Sequence, residues 1–124
     1  MTKTYFRLGS LADCVLNRAV LDGAVFEGVM LDGADFSEAN LVDCTFYLVS
    51  AGNVNFSNAS LKGARFRGGR FSQVNFSGSD LSGASFEADN MGGAVDISGA
   101  DFSTAKLDGT IFSSVITDSK TKFR

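Results

Sequence analysis

The sequence lacks histidine, proline and tryptophan altogether, and it contains only two cysteines among its 124 residues. Histidine is the side chain best suited to act as a general base near pH 7, and no activated nucleophile pair or cluster of metal ligands takes its place. Cys14 and Cys44 have neither the spacing of a metal site nor the pattern of a secreted disulfide framework. These absences predict a protein that is not an enzyme, with no catalytic residue, no cofactor and no metal site.

Long apolar runs and a strong net charge are also missing. The first residues, Met-Thr-Lys-Thr-Tyr-Phe-Arg, lack the apolar segment of a signal peptide, and no run approaches the roughly 18 apolar residues of a membrane helix. A net charge of −3 is too small to indicate a nucleic-acid-binding protein. We therefore expect a soluble cytoplasmic protein that contacts neither nucleic acid nor membrane directly.

What the sequence does contain is a period of five. Starting at Phe6, every fifth residue up to Met91 is apolar, and after one inserted residue the period resumes at Ile97 and continues to Phe112. With this apolar residue as position i, position i−2 holds a small residue, most often alanine, and position i+2 is frequently glycine. A period of five fits neither a helix nor a simple strand. It fits a chain that turns a corner every five residues and points residues i and i−2 inward.

Four such corners close a coil, so similar residues should recur at a spacing of 20, and they do. The inward columns are Phe6, Phe26, Phe46, Phe66 and Phe86; Leu21, Leu41, Leu61 and Leu81; Leu16, Phe36, Phe56 and Phe76; and Leu11, Leu31, Ala51, Phe71 and Met91. Parallel strands joined by crossovers wind right-handedly. The sequence therefore predicts an all-β, right-handed quadrilateral parallel β-helix of about five and a half coils at the usual strand spacing.

The segments Ala34–Glu38, Ala39–Asp43 and Ala100–Thr104 resemble the A-[DN]-L-x-x repeat of the pentapeptide-repeat family. The resemblance covers residues 4–115, and it implies one domain over 1–124 with a C-terminal cap at about 116–124. It implies the β-solenoid fold but no single function, because one fold hosts many activities. The family includes developmental regulators, bacterial effectors and quinolone-resistance proteins that bind DNA gyrase.

Two kinds of residue depart from the repeat at inward positions. Cys14 and Cys44 occupy i−2 positions on different faces, so we expect free thiols that pack as small apolar residues. Asp89 occupies the i−2 position before Met91, next to paired glycines. Because a buried unpaired carboxylate is costly, we expect a bulge that turns Asp89 toward solvent.

The outward positions depart from the repeat on one face. Polar residues are the norm there, yet five outward residues on the face of the Phe6–Phe86 column are apolar, and two arginines follow one coil on. These candidate partner-binding residues are Tyr5, Leu8, Val25, Tyr47, Leu48, Arg65 and Arg67. Tyrosine, leucine and arginine on a flat face are typical of a protein interface, although a thin solenoid also cannot cover every apolar side chain.

Two functions remain after these exclusions. The first is a non-catalytic protein–protein interaction scaffold, whose partner is another protein or a second copy bound through the N-terminal coils. The second, implied by the family resemblance, is a DNA gyrase-binding or topoisomerase-binding protein that mimics DNA. About five and a half coils span roughly 25 Å, over which a DNA duplex carries about 15 charges. The net charge of −3, with Lys62, Arg65, Arg67 and Arg70 in the middle of the chain, favours the first.

Overall fold

The computed structural model describes residues 4–123, which contain no helix and form eight short strands. The strands are β1 (Tyr5–Arg7), β2 (Val25–Glu27), β3 (Thr45–Tyr47), β4 (Arg65–Arg67), β5 (Ser85–Glu87), β6 (Val95–Asp96), β7 (Ile111–Phe112) and β8 (Val115–Ile116). Six of them form one parallel sheet in the order β1-β2-β3-β4-β5-β7, and β6 pairs with β8. Single-residue parallel bridges form the ladders of the remaining faces. The chain is a β-solenoid of about six turns.

Hydrogen bonds between coils explain why the period is twenty. Position i−1 of each coil pairs through both backbone groups with the coil before it: the Met30 N–H donates to the Gly9 carbonyl at 2.9 Å, and the Met30 carbonyl accepts from the Leu11 N–H at 2.8 Å. The strand register likewise places Phe6 beside Phe26. The predicted spacing is confirmed over the first four coils.

The interior is a ladder of like side chains. Phe46 stacks on Phe26 with ring centroids 5.0 Å apart and on Phe66 at 4.9 Å, with interplanar angles of 4° and 8°. Phe56, in the column of the opposite face, meets Phe46 edge-on at 5.8 Å. All four rings are fully buried. Stacked and edge-to-face contacts are both favourable aromatic geometries, so the columns fill the core in two directions at once.

The corners explain the polar and glycine positions of the repeat. Asp35, an i−1 residue, accepts a hydrogen bond from the backbone N–H two residues on, at 2.9 Å, and Asn55 does the same. This Asx turn is the physical reason for aspartate or asparagine at i−1. Position i+2 has a positive φ at each corner from Leu8 (47°) to Gly83 (71°), a conformation that glycine adopts without cost.

The period breaks between Phe86 and Ile97, and here the sequence prediction was wrong. Phe71 is followed in its column by Ile97, because the Phe71 N–H donates to the Asp96 carbonyl at 2.6 Å. Ile97 is fully buried, whereas Met91 is 94% exposed. The insertion is therefore residues 89–94, six residues long and not one. Met91 matched the period by coincidence, whereas Asp89, at the inward i−2 position before it, is unsuited to an apolar core.

Asp89 fixes the base of this loop. Its Oδ1 accepts hydrogen bonds from the backbone N–H groups of Met91 at 2.8 Å and Gly93 at 2.9 Å. The carboxylate is half-buried outside the core, as expected from the cost of burying it. It lies against Gly68, where a Cβ would come within 2.5 Å of Asp89 Oδ2. Gly68 therefore gives the loop room to fold back on the solenoid.

The C-terminal segment covers the last full coil. Val115 pairs with Val95, Lys122 pairs with Asp101, and the Phe123 ring stacks on Phe102 at 5.2 Å. Residues 111–123 thus continue the solenoid as a partial coil on three faces, and the segment predicted as a cap, from residue 116, forms the last two of them. Residues 1–3 and Arg124, which the predicted domain and cap include, lie outside the described residues.

The loop geometry predicts the effect of a deletion. Removing residues 89–94 joins position 88 to Val95 and restores the period of five between Phe86 and Ile97, with Ala88→Gly supplying the corner glycine. We expect this variant to keep the β-sheet circular dichroism and a cooperative melt at least as high as the parent's, because a closed loop is removed.

A deletion of equal length inside the repeat is the control. Removing residues 75–80 shifts every later residue by one position relative to the period of five, so inward and outward side chains exchange places. This variant should not fold. If the variant lacking residues 89–94 also loses its structure, the conclusion that these six residues are an insertion in the repeat is contradicted.

Candidate protein-binding face

All seven candidate residues lie on the outer surface of the sheet formed by β1 to β5, here called the β1–β5 face. It carries Tyr5, Leu8, Val25, Tyr47, Leu48, Arg65 and Arg67. Tyr5 is directly beside Val25, and Tyr47 directly beside Arg67, in the parallel register. The face is flat because its strands are three residues long and stand on the Phe6–Phe86 column.

The apolar residues of this face differ in exposure. Leu8 is 81%, Tyr5 61% and Leu48 46% exposed, whereas Val25 and Tyr47 are half-buried. Leu8 leans over Gly28, where an added Cβ would lie 2.8 Å from its Cδ2. The two leucines are corner residues of the first and third coils, with glycine at the same corner between them. They form an apolar margin along one side of the face.

Arg67 is held in place on this face. Its guanidinium carbon lies 5.9 Å from the centre of the Tyr47 ring, within the range of a cation–π contact. Its Nη2 donates to Asn90 Oδ1 at 3.2 Å, so the loop at 89–94 also positions it. Arg65 is exposed, between Thr45 and Ser85 in the register. The face therefore presents the positioned guanidinium of Arg67, beside Tyr47, and the exposed guanidinium of Arg65.

The other two basic residues of the middle coils are paired with acids. Arg70 Nη2 lies 3.0 Å from Asp32 Oδ2, and the same guanidinium donates to Ser72 Oγ at 2.9 Å. Lys62 Nζ lies 3.7 Å from Asp80 Oδ2. The Arg70 side chain, in the fourth coil, reaches across the third coil to Asp32 in the second. It therefore stabilises the neighbouring face and is not part of the β1–β5 face.

Sequence reasoning missed a second group of exposed apolar residues. Val15 is 75%, Val20 74% and Met30 50% exposed, each at position i−1 on one of the other three faces. The available signal was an apolar residue where the Asx turn normally requires aspartate, asparagine or serine. A separate hollow of about 150 Å³, at the first corner of the first coil, is lined by Phe6, Arg7, Gly9, Ser10, Leu11 and Val29. At the i−1 positions of these three faces, the first two coils are thus more apolar outside than the third coil, which has Ser50, Asn55 and Ser60 there.

Several titratable groups outside this face are engaged in structure. Cys14 and Cys44 are free; burial raises the pKa of the Cys44 thiol to about 12, and its Sγ donates to the Leu21 carbonyl at 3.0 Å. The hydroxyl of the serine two residues on lowers the pKa of Asp80 and of Asp101. Within residues 4–123, no three acidic, cysteine or histidine side chains are placed to hold a metal ion, and no helix is long and apolar enough to cross a membrane.

Comparison with known proteins agrees with this architecture. A family model described as a pentapeptide repeat region matches residues 19–95. QnrB1, a plasmid-mediated fluoroquinolone resistance protein, is 25% identical with a TM-score of 0.73, covering 83% of this chain and 48% of QnrB1. The pentapeptide repeat protein Rfr23 from the cyanobacterium Cyanothece 51142 is 17% identical with a TM-score of 0.55, covering 98% of this chain and 85% of Rfr23.

Among curated proteins no match is found, and the chain spans about half the length of QnrB1. The likeness to Rfr23, at 17% identity, shows the fold alone. The matched family region includes more than half of the chain and the stacked coils described above. The chain therefore belongs to the pentapeptide-repeat family.

Proposed function

We propose that this protein is a non-catalytic scaffold that binds another protein through the β1–β5 face. The observation that carries the proposal is the cluster of Tyr47, Leu48 and Arg67 on the β1–β5 face of the third and fourth coils. In the same third coil, the i−1 positions of the other faces are Ser50, Asn55 and Ser60. Exposed apolar and aromatic residues gathered on one side are typical of interfaces, whereas single scattered ones are not.

The geometry of the cluster favours tight recognition. Tyrosine and arginine are the residues that most often dominate binding energy. Arg67 is already held by Tyr47 and Asn90, and the sheet beneath is supported by the stacked phenylalanines. A partner would therefore order few side chains on binding, which lowers the entropic cost of association.

The absence of catalysis and the cytoplasmic location are parts of this proposal. A non-catalytic role is supported by the use of Asp80 and Asp101 in turns and by the raised pKa of the Cys44 thiol, which disfavours a nucleophilic thiolate. A reducing compartment is supported by the two free cysteines.

DNA mimicry is the second candidate, favoured by the likeness to the resistance protein QnrB1. Charge weighs against it, because several acids are neutralised by neighbouring bases: Glu27 by Arg7 at 3.3 Å and Asp32 by Arg70 at 3.0 Å. A duplex carries one charge per about 1.7 Å without such interruption. The surface therefore lacks the continuous negative potential on which DNA mimicry depends.

The scaffold proposal predicts the behaviour of the variant Tyr47→Ser/Leu48→Ser. Both side chains are outward, so the core and the melting temperature should change little, while capture of a partner from lysate of the source cells should be lost. The captured protein is identified by mass spectrometry and its affinity for purified wild type and variant is measured by calorimetry. We expect an affinity loss of at least about tenfold, since interface anchors contribute about 2 kcal/mol or more.

The matched control is Val42→Ser, which removes a half-buried outward apolar side chain from another face. It should leave the affinity unchanged. Equal binding by wild type and the Tyr47→Ser/Leu48→Ser variant would contradict the assignment of the β1–β5 face.

The charge argument predicts the outcome of a gyrase assay. At concentrations of about 1–10 μM, in the ordinary range of specific protein complexes, the protein should neither inhibit DNA supercoiling by gyrase nor relieve its inhibition by a quinolone. The variant Arg65→Glu/Arg67→Glu makes the face more acidic and serves as a sensitised control. Inhibition of supercoiling by the wild type in this range would favour DNA mimicry over the scaffold.

A further inference from the structure

The first coil (residues 4–23) presents an open strand edge. Within residues 4–123, the backbone N–H and C=O groups of Ser10, Val15 and Val20 make no backbone hydrogen bond. The equivalent i−1 residue one coil on, Met30, uses both groups to pair with the first coil. Three donor–acceptor pairs, one on each of three faces, are therefore directed away from the rest of the solenoid. Such an edge is a template for pairing with another strand.

Exposed apolar side chains surround this same edge. Tyr5, Val15 and Val20 are 61%, 75% and 74% exposed, and all three are i−1 residues of the first coil. The inward residues Phe6 and Leu11 are only partly buried, and the hollow of about 150 Å³ lies between them. In the third coil the i−1 residues are all polar: Thr45, Ser50, Asn55 and Ser60. Within residues 4–123, the outer side of the first coil thus has an apolar centre and an apolar rim around strand groups that make no backbone hydrogen bond.

We propose that a second copy of this chain covers this edge, first coil against first coil, with antiparallel strand pairing about a twofold axis. The proposal goes beyond the proposed function, because its partner is a second copy of the chain and its surface is the edge of the first coil and not the β1–β5 face. A twofold contact is self-complementary, so each edge satisfies the free N–H and C=O groups of the other.

The charge of the first coil suits a copy of itself. It carries two arginines and two aspartates, Arg7, Asp13, Arg18 and Asp22, so two first coils brought together do not repel. Arg7 lies 3.3 Å from Glu27, and Arg18 lies 3.8 Å from Glu38, both in the second coil of the same chain. The first coil therefore has no net charge that would attract a strongly charged partner.

The size and the path of the coil also suit this contact. The first coil offers 20 residues, close to the roughly 20–30 residues per partner of a standard interface. When two first coils are related by a twofold axis perpendicular to the solenoid, their rising edges stay at a constant separation around the coil. The first face of one copy then meets the fourth face of the other. This register places Tyr5 opposite the other copy's Val20, and Ser10 opposite its Val15. An aromatic residue against a β-branched one is a favourable cross-strand pair.

The test is the variant Val15→Asn/Val20→Asn, examined by sedimentation velocity over a range of concentrations. Asparagine stands at the same positions in later coils, at Asn55 and Asn40, so the variant solenoid should fold. We expect a dimer for the wild type and a dimer dissociation constant raised at least about tenfold in the variant. Met30→Asn is the matched control: it removes an exposed i−1 side chain whose N–H already pairs with Gly9, and it should not change dimerisation.

Amide hydrogen exchange provides a second, direct readout. The Val15 and Val20 amides should exchange slowly at concentrations that favour the dimer and quickly on dilution. A wild type that is monomeric up to about 1 mM, a dimer unaffected by Val15→Asn/Val20→Asn, or fast exchange at both amides in the dimer overturns the proposal. A dimer lost in Tyr47→Ser/Leu48→Ser but retained in the edge variant also overturns it. Failure to capture another protein on the β1–β5 face, with an edge-dependent dimer, leaves this inference standing and rejects only the face assignment.

Discussion

The structure depends on stacking identical positions of successive coils directly on one another. Each face admits one large inward side chain per coil, and its neighbours above and below are the residues twenty positions away. Phe46 illustrates the constraint, since it is in contact with Phe26 above, Phe66 below and Phe56 on the opposite face. A narrow interior of this kind has no alternative packing. The register, the corners and the outward surfaces all follow from it.

Inward stacking also determines what the surface can do. Because inward positions are fixed by packing, variation is confined to the outward positions and to insertions at corners. At several corners an Asx turn, and at each corner from Leu8 to Gly83 the positive φ of residue i+2, use the outward residues for structure, as in Asp35 and its partner Ser37. The β1–β5 face and the first coil differ, because the side chains of Val15 and Val20 cannot accept the hydrogen bond of an Asx turn, and the Tyr47 ring lies beside Arg67 instead. Residues that the scaffold does not need are those most available for binding.

The fold could be predicted from the sequence because the period of five leaves a signal at nearly every residue. The six-residue insertion at 89–94 could not be predicted, because a period identifies positions in the sequence and not contacts. Met91 fitted the period of five. Only the hydrogen bond between Phe71 and Asp96 shows that Ile97 continues the column. The β1–β5 face was found from its apolar outward residues. The pairing of Arg70 with Asp32, two coils away, depends on side-chain conformation, which the sequence pattern does not reveal.

The claim that stacking in register holds the fold together is tested most directly by comparing Phe46→Ala with Phe6→Ala in urea denaturation. Both residues belong to the same column, but Phe46 is fully buried between two rings, whereas Phe6 stacks on one ring at the end of the column. The account predicts that Phe46→Ala lowers the free energy of unfolding by about 3–5 kcal/mol, the cost of a buried phenylalanine cavity, and that Phe6→Ala costs clearly less. Equal losses, or a Phe46→Ala variant as stable as the wild type, would contradict it.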